Sequence, residues 1–227
     1  MSFGFELEVW GPYALFSRPE LKTERYSYEM ITPSAARGII ESIYWHPGLR
    51  VVIDRIYLLP GKEGITDEAD PFHYENIRRN EVKAKAQAAQ FEAMLNGGKE
   101  ACLVTSKEIQ QRASAVLRDV HYVVKAHFEM TGNAKPSDNE GKFADTFRRR
   151  IGKGRFFSEP YFGCREFPVH FAPWPSGEDI IPMDVCKDLG IMLYDLDYTD
   201  KEHIKPMYFH AKLEHGVMQV AGERVMR

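Results

Sequence analysis

Residues 119–130 decide the fold, and they read Asp-Val-His-Tyr-Val-Val-Lys-Ala-His-Phe-Glu-Met. Apolar and polar side chains alternate along this stretch, with Val123 as the one exception. An alternation of period two that is rich in β-branched and aromatic residues predicts a half-buried β-strand. One face of such a strand lies in the core, and the other face is presented outward. The presented face carries His121, Lys125 and His127.

Lys125 and His127 are two residues apart on this face, which places their Cα atoms about 6.6 Å apart. At that spacing an ammonium group and an imidazole can both reach one phosphate-sized group. The alternation taken by itself favours a simpler interpretation, in which the two residues belong to a solvated sheet face.

Composition predicts an ordinary soluble globular protein. The chain has 227 residues, of which 44% are hydrophobic and 28% charged, and this is enough for one large domain or two small ones. The sequence contains no apolar run of bilayer length and no signal-peptide pattern. Its three widely spaced cysteines indicate neither a disulfide framework nor a zinc site, which favours a reducing cytoplasm. No other metal or cofactor motif is predicted.

A basic run stands out because the whole chain carries a net charge of −3. Residues 142–155 hold six basic side chains and one acidic side chain, with Gly152 and Gly154 interleaved. A solvated helix end is the simpler interpretation of such a run. The glycines favour phosphate binding instead, because they allow close approach of the backbone. The predicted nucleic-acid contacts in this run are Arg148, Arg149, Arg150, Gly152, Lys153, Gly154 and Arg155.

Capping residues, prolines and glycines divide the chain into elements. Thr32 is a predicted N-cap, followed by Pro33 in the first helical turn. Residues 13–30 are predicted to form a loop. The predicted helices are 32–45, 83–95 and 140–151, and the predicted strands are 3–10, 49–59, 72–82, 117–130, 163–171, 189–194, 206–212 and 217–220.

This order predicts an α+β fold. When 61–117 is treated as an insertion, residues 1–174 follow the βαββαβ order of a ferredoxin-like, RRM-like domain. Residues 175–227 then form a small antiparallel β domain. In this topology Tyr44 and His46, at the end of the first helix, meet Lys125 and His127 at one end of the sheet. The basic run is expected at the opposite end, about 30 Å away.

Several blocks of sequence together resemble the fifth CRISPR-associated protein family, in its Dvulg (type I-C) subtype. The resemblance spans nearly the whole chain. The blocks are Trp10-Gly-Pro-Tyr-Ala-Leu-Phe16, Glu41-Ser-Ile-Tyr-Trp-His-Pro47, Arg79-Asn-Glu81, Val120-His-Tyr-Val-Val-Lys-Ala-His-Phe128 and Pro160-Tyr-Phe-Gly-Cys-Arg-Glu-Phe167.

The resemblance implies an endoribonuclease that cuts the repeat hairpins of CRISPR precursor RNA. It also implies that the protein retains the 5′ handle as a subunit of the interference complex, on a ferredoxin-like (RAMP) domain with a small β domain. The catalytic residues that it implies are Tyr44, Lys125 and His127. Whether the family's histidine falls on His127 or on His121 stays open.

Metal-independent RNA cleavage requires an activated 2′-OH, a stabilised phosphorane and a protonated 5′-oxygen. We expect His127 to transfer protons, Lys125 to supply positive charge, and Tyr44 to orient the 2′-OH. The expected products are a 2′,3′-cyclic phosphate and a 5′-hydroxyl. His121, His46 and Arg37 are further candidate RNA contacts.

Two alternatives remain at the level of sequence. One is a subunit that binds the 5′ handle of the guide RNA without cutting it, and the other is a ferredoxin-like enzyme acting on a small molecule. The absence of a cofactor motif disfavours the second alternative. Binding of duplex DNA stays open.

Overall fold

The structure is a computed structural model that describes residues 4–21, 23–64, 70–82, 92, 94–97, 106, 109–200 and 202–226. The predicted helix over 83–95 falls almost entirely outside these residues. The two described helices with assigned bounds are α1 (Pro33–Ile43) and α2 (Glu140–Ile151). The strands are β1 (Gly4–Ala14), β2 (Arg25–Tyr26), β3 (Leu49–Leu58), β4 (Tyr74–Val82), β5 (Ile109–Met130), β6 (His170–Pro173), β7 (Lys187–Asp197), β8 (Lys205–Glu214) and β9 (Val217–Gln219).

Strand β5 is the centre of the molecule. It contains the predicted strand and extends it at the N-terminal side to 22 residues. Its C-terminal half lies between β1 and β3. Its N-terminal part belongs to the region predicted as an insertion and pairs there with β4. It also pairs with β2, which lies in the stretch 13–30 that was predicted to be a loop. One continuous strand therefore joins that region to the rest of the sheet.

The fold is mixed α/β, with one large sheet whose main path runs β6-β1-β5-β3-β9-β8-β7. Neighbouring strands along this path are antiparallel, and the short β2 is parallel to β5. The three predicted C-terminal strands are present, with β7 and β8 longer than predicted and β9 one residue shorter. They join the same sheet through the pairing of β9 with β3.

Local signals placed both helices correctly. The Thr32 hydroxyl accepts a hydrogen bond from the Ala35 N–H at 3.1 Å, as expected for an N-cap. Helix α2 has the predicted bounds, and its N-cap is Asn139. In the described residues, no helix is long and apolar enough to span a membrane.

Strand boundaries differ from the predictions at two further places. The first strand continues past Gly11-Pro12 to Ala14. Pro12 lies opposite Asp119, where β5 has a positive φ of 50° and the ladder skips one pair, so the missing N–H of proline does not end the pairing. The predicted strand over 163–171 begins only at His170. Gly163 has a φ of 76° and starts a turn, and a Cβ there would lie 2.1 Å from the Leu15 carbonyl oxygen.

The helices cover one face of the sheet. Phe147 of α2 packs against Phe5 of β1 and Phe128 of β5, with ring centroids 4.4 and 5.4 Å away. Since side chains alternate along a strand, Lys125 and His127 lie on the opposite face. This division into two faces decides where each predicted site residue can act.

Candidate active site and nucleic-acid interface

Lys125 lies on the face of the sheet away from the helices. Its Nζ donates to Oε1 of Glu6, the facing residue on β1, at 2.8 Å. This hydrogen bond raises the pKa of Lys125. The amine is therefore a permanent cation, and a carboxylate already neutralises it.

His127 forms a dyad with Asp54 on the same face. Between Ile53 and Arg55 the β3–β5 register shifts, and the extra residue is Asp54. Both carboxylate oxygens of Asp54 lie 3.0 Å from Nδ1 of His127. A carboxylate only accepts, so Nδ1 carries the proton and Nε2 is left as a proton acceptor. The bulge thus orients an imidazole as a base.

His121 is buried rather than on the surface, and its predicted contact with RNA stays a prediction. Its Nδ1 lies 2.8 Å from the Pro60 carbonyl oxygen, and its Nε2 lies 2.8 Å from Oε1 of Glu8. Lys62 pairs with the same carboxylate at 2.8 Å. Both ring nitrogens of His121 are engaged inside the protein.

Tyr44 lies at the end of α1, on the helical side of the sheet. Its ring contacts Phe143 of α2, with centroids 6.3 Å apart. The Arg150 guanidinium lies over the Tyr44 ring, 5.1 Å from its centroid, and donates to the Ile43 carbonyl oxygen at 2.8 Å. The phenol thus lies between the two ends of α2.

Burial raises the pKa of Tyr44, and the positive charges of Arg150 and Lys142 oppose this shift only in part. The phenol therefore keeps its proton at neutral pH. In this state Tyr44 can donate a hydrogen bond or a proton, but it is a poor base.

His46 and Lys142 complete a polar group around Tyr44. The His46 ring packs against Phe143 at 4.9 Å, and its Nε2 lies 3.9 Å from Oδ2 of Asp138. Lys142 donates to Oδ1 of the same Asp138 at 3.0 Å. We call Tyr44, His46, Asp138, Lys142 and Arg150 the helix-end cluster.

The structure does not bring Tyr44 together with Lys125 and His127, so the predicted meeting of the three is wrong. Connectivity correctly placed the end of α1 near the end of β5. It did not specify the face of the sheet, and the helix covers one face while Lys125 and His127 occupy the other. The catalytic roles of Lys125 and His127 stay predictions.

The basic run forms one concave surface at the end of α2. This basic pocket has a volume of about 570 Å³. None of the described carboxylates pairs with Arg149, Lys153 or Arg155. Such a concave cationic surface suits a phosphate backbone. Its lining residues are Thr146, Arg149, Arg150, Lys153, Gly154, Arg155 and Phe156.

The expected separation of about 30 Å between this pocket and Tyr44 is wrong, because Arg150 belongs to both. After α2 the chain turns back along α1, where the N–H groups of Phe157 and Ser158 donate to the Ser42 carbonyl oxygen at 2.9 and 3.0 Å. Both ends of α2 therefore lie beside the end of α1.

The glycines of the run do not present their amides to a ligand. The N–H groups of Gly152 and Gly154 donate to the carbonyl oxygens of Arg148 and Ile151, at 3.0 and 3.2 Å. These bonds close the last turn of α2. Gly154 has a φ of 60°, which explains the residue type. Contacts to phosphate are therefore left to the arginine and lysine side chains, among which Arg148 pairs with Asp145.

Arg37 has a different partner from the predicted one. Its guanidinium donates to Glu41 at 2.7 Å and to Asp195 of β7 at 2.6 Å. This ion pair ties α1 to the C-terminal strands and occupies both terminal nitrogens of the guanidinium, Nη1 and Nη2.

Among the residues that the structure describes, one group of side chains has metal-ligand chemistry. Asp184 and Cys186, just before β7, and His215, in the turn between β8 and β9, place their ligand atoms within 4.8 Å of one another at the surface. His215 already hydrogen-bonds Asp184 at 2.6 Å. This group lies outside the helix-end cluster.

Lys142 and Asp138 were missed as site residues by sequence reasoning. Lys142 was predicted only as a member of the basic run, and Asp138, just before the predicted helix over 140–151, was assigned no role. The signal was present, because the first turn of α2 follows β5 and must begin near the end of the sheet where α1 ends. The same connectivity that placed Tyr44 also places Lys142.

A mixed α/β sheet protein with a tyrosine, a lysine and an arginine beside a cationic pocket belongs to the class of proteins that handle a polyanion. A family model described as "CRISPR-associated protein (Cas_Cas5)" matches residues 4–221. The chain belongs to this CRISPR-associated Cas5 family.

Two relatives cover nearly the whole chain. The "CRISPR pre-crRNA endoribonuclease Cas5d" of Mannheimia succiniciproducens is 41% identical over 229 residues, which cover 97% of this chain and 96% of that protein. The protein of the same name from Thermus thermophilus is 35% identical over 236 residues, with coverages of 96% and 92%. A solved structure described as "Crystal Structure of CRISPR-associated Protein" superposes with a TM-score of 0.67 at 20% identity, covering 99% of this chain and 96% of that chain.

Proposed function

We propose that this protein is an endoribonuclease that cleaves CRISPR precursor RNA within its repeats, as the names of its two full-length relatives say of those proteins. The observation that carries this proposal is the continuity of the helix-end cluster with the basic pocket through Arg150. An RNA backbone held in the pocket would bring a phosphodiester to Tyr44 and Lys142.

In the proposed reaction the 2′-oxygen attacks phosphorus and the bond from phosphorus to the 5′-oxygen breaks. Lys142 and Arg150 stabilise the charge of the phosphorane. Tyr44, which retains its proton, donates it to the departing 5′-oxygen. The products are a 2′,3′-cyclic phosphate and a 5′-hydroxyl, and both protons move between side chains and RNA with no metal in the scheme.

His46 is the proposed acceptor of the 2′-OH proton. Its Nδ1 accepts a hydrogen bond from the Gly48 N–H at 3.1 Å, so this nitrogen is unprotonated. Accepting the 2′-OH proton requires that bond to open, which costs about 1 kcal/mol. Asp138, near Nε2, would stabilise the resulting cation.

The strand-face residues offer a second candidate for the catalytic site. The His127–Asp54 dyad is oriented as a base, with Lys125 two residues away. The surrounding charge favours the helix-end cluster, because Glu6, Glu8, Asp54 and Glu129 all lie among the partners of the strand-face cations. Carboxylates in that number repel a phosphodiester.

Two lysines in matched settings discriminate between the candidates, since each donates to one carboxylate. Lys142→Ala is expected to lower the single-turnover cleavage rate of a repeat hairpin about 100-fold. Lys125→Ala is expected to change the rate less than about threefold. Rates are measured in EDTA, with a hairpin carrying a 2′-deoxy sugar at the scissile position as the uncleaved control.

The reverse result, in which only Lys125→Ala stops cleavage, moves the site to the strand face. A wild-type protein that binds the hairpin without cutting it supports the alternative of a non-catalytic subunit that holds the 5′ handle. Cleavage of the 2′-deoxy RNA at the full rate contradicts attack by the 2′-OH.

We propose that residues 1–174 form a ferredoxin-like, RRM-like domain and residues 175–227 a small β domain. The strand order β6-β1-β5-β3, with α1 and α2 on one face, supports this proposal. We further propose that the protein acts in the cytoplasm and keeps the 5′ handle as a subunit of the interference complex. Co-elution of protein and handle after cleavage tests retention, and competition with duplex DNA tests whether DNA shares the site.

A further inference from the structure

A second pocket runs along the exposed side of α1 and has a volume of about 620 Å³. Trp45 and Phe157 form part of its wall, and they are 60% and 81% exposed. Exposed aromatic rings that share one concave surface mark a candidate binding site.

The floor of this pocket is made of small residues. Ser34, Ala35 and Gly38 of α1 line it. A Cβ at Gly38 would meet nothing within 4 Å, and no positive φ requires glycine there. Glycine inside a helix costs about 1 kcal/mol relative to alanine. Neither packing within the chain nor backbone conformation therefore explains Gly38, which leaves the surface of α1 open at this position.

The pocket contrasts with its neighbour in charge. Its wall includes the polar residues Ser42 and Ser158 and the carboxylate of Glu41, which pairs with Arg37, but no lysine or arginine. The basic pocket ends at Phe156, and this pocket includes Phe157. Consecutive residues have Cα atoms about 3.8 Å apart, so a cationic concavity and an aromatic one adjoin.

We propose that this pocket binds one unpaired nucleobase of the RNA, while the adjoining phosphates lie in the basic pocket. The proposal rests on the proposed function, because it takes RNA as the ligand. A nucleotide has the same two parts as the paired pockets, a flat neutral base and a charged phosphate. Stacking on Trp45 and Phe157 supplies affinity, and hydroxyl groups of the wall meet the edge of the base.

Trp45 also follows Tyr44 directly in the chain. A base seated on Trp45 would therefore fix the register of the strand relative to the helix-end cluster. The pocket would help to determine which phosphodiester is presented for cleavage.

The test uses a fluorescently labelled repeat hairpin with its single-stranded flanks and a 2′-deoxy sugar at the scissile position, so that binding is measured without cleavage. Trp45→Ala removes the stacking surface, and Gly38→Leu fills the floor while keeping a good helix former. Each variant is expected to weaken binding about 5- to 150-fold, the range for loss of one stacked base. Ile181→Ala, at a 79% exposed apolar position outside the pocket, is the matched control and should bind as wild type does.

A set of the same RNAs, each with one abasic nucleotide in a flank, identifies the base. One abasic position should weaken binding to the wild type by the same factor as Trp45→Ala does, and should cost nothing further in that variant. A midpoint of thermal unfolding for Gly38→Leu equal to that of the wild type would show that the substitution leaves the fold intact.

Wild-type affinity in both Trp45→Ala and Gly38→Leu overturns the nucleobase proposal and leaves the exposed aromatics to a protein partner. Equal abasic effects in wild type and in Trp45→Ala overturn it as well. Failure of the wild-type protein to bind the hairpin at all is a different result, because it contradicts the proposed function itself.

Discussion

Tyr44 shows how neighbouring side chains set the chemistry available to one residue. Its ring lies between Phe143 and the Arg150 guanidinium, and burial raises its pKa despite two nearby cations. A phenol in this setting is a proton donor over the physiological range. The structure therefore favours a role for Tyr44 late in the reaction, at the departing oxygen, over a role as the base.

Tyr44→Phe should lower the cleavage rate about 100-fold and change hairpin affinity less than about twofold, since the ring contacts remain. Single-turnover rates and anisotropy binding curves measure the two effects. A rate within threefold of wild type would remove Tyr44 from proton transfer.

The raised pKa of Tyr44 also predicts the alkaline behaviour of the protein. A pKa that is higher in the folded than in the unfolded chain gives a stability contribution that is full below about pH 10 and is lost as pH rises further. The free energy of unfolding of the wild type, measured with denaturant, should therefore fall more steeply above about pH 10 than that of Tyr44→Phe. An equal pH dependence of the free energy of unfolding in the two proteins would contradict the raised pKa of Tyr44.

At the scale of elements, α1 is held to the C-terminal strands by the contacts of Arg37 with Glu41 and Asp195. The side chains of Arg37 and Asp195 are 20% exposed, and that of Glu41 is 28% exposed. An ion pair in that setting contributes to stability when it is intact and leaves an uncompensated charge when one partner is removed.

Arg37→Ala should lower the free energy of unfolding by about 2 kcal/mol and leave RNA affinity unchanged. Asp195→Asn should cost a similar amount, and the double variant should cost less than the sum. Urea unfolding and anisotropy provide the two measurements. A loss of RNA affinity with unchanged stability would restore the role in RNA binding that the sequence predicted.

Elements built from neighbouring residues were predictable from the sequence. Thr32 and Pro33 start α1, and residues 140–151 form α2, because capping and helical periodicity are local properties. The length of β5 and the position of Lys142 beside Tyr44 depend on pairing and packing between distant segments. Periodicity identifies the two faces of a strand, but it does not say which face a helix will cover, and this is why Tyr44 was placed with Lys125.

The whole molecule has a small net negative charge, and several of its cations are gathered in the basic pocket. The side chains of Arg149, Lys153 and Arg155 all open into the basic pocket, which adjoins the helix-end cluster. Affinity for RNA should therefore come from a few side chains and should depend strongly on salt.

Replacing Arg149, Lys153 and Arg155 together by glutamine should weaken hairpin binding and lower the slope of log affinity against log salt by about 2. The matched control replaces Lys205, Lys212 and Arg224, three exposed basic residues in the C-terminal part of the chain. Anisotropy titrations between about 50 and 200 mM salt give the slopes. Equal slopes for the two triple variants would show that the basic pocket does not bind the backbone.

The position of β5 also has a consequence for how the protein is made. Strand β1 pairs with β5 and β6, so both of its neighbours are translated more than 90 residues after it. On the ribosome, β1 and β3 therefore have no paired neighbour in the main sheet until about residue 130 has emerged. The nascent chain is expected to fold late and to depend on chaperones up to that moment.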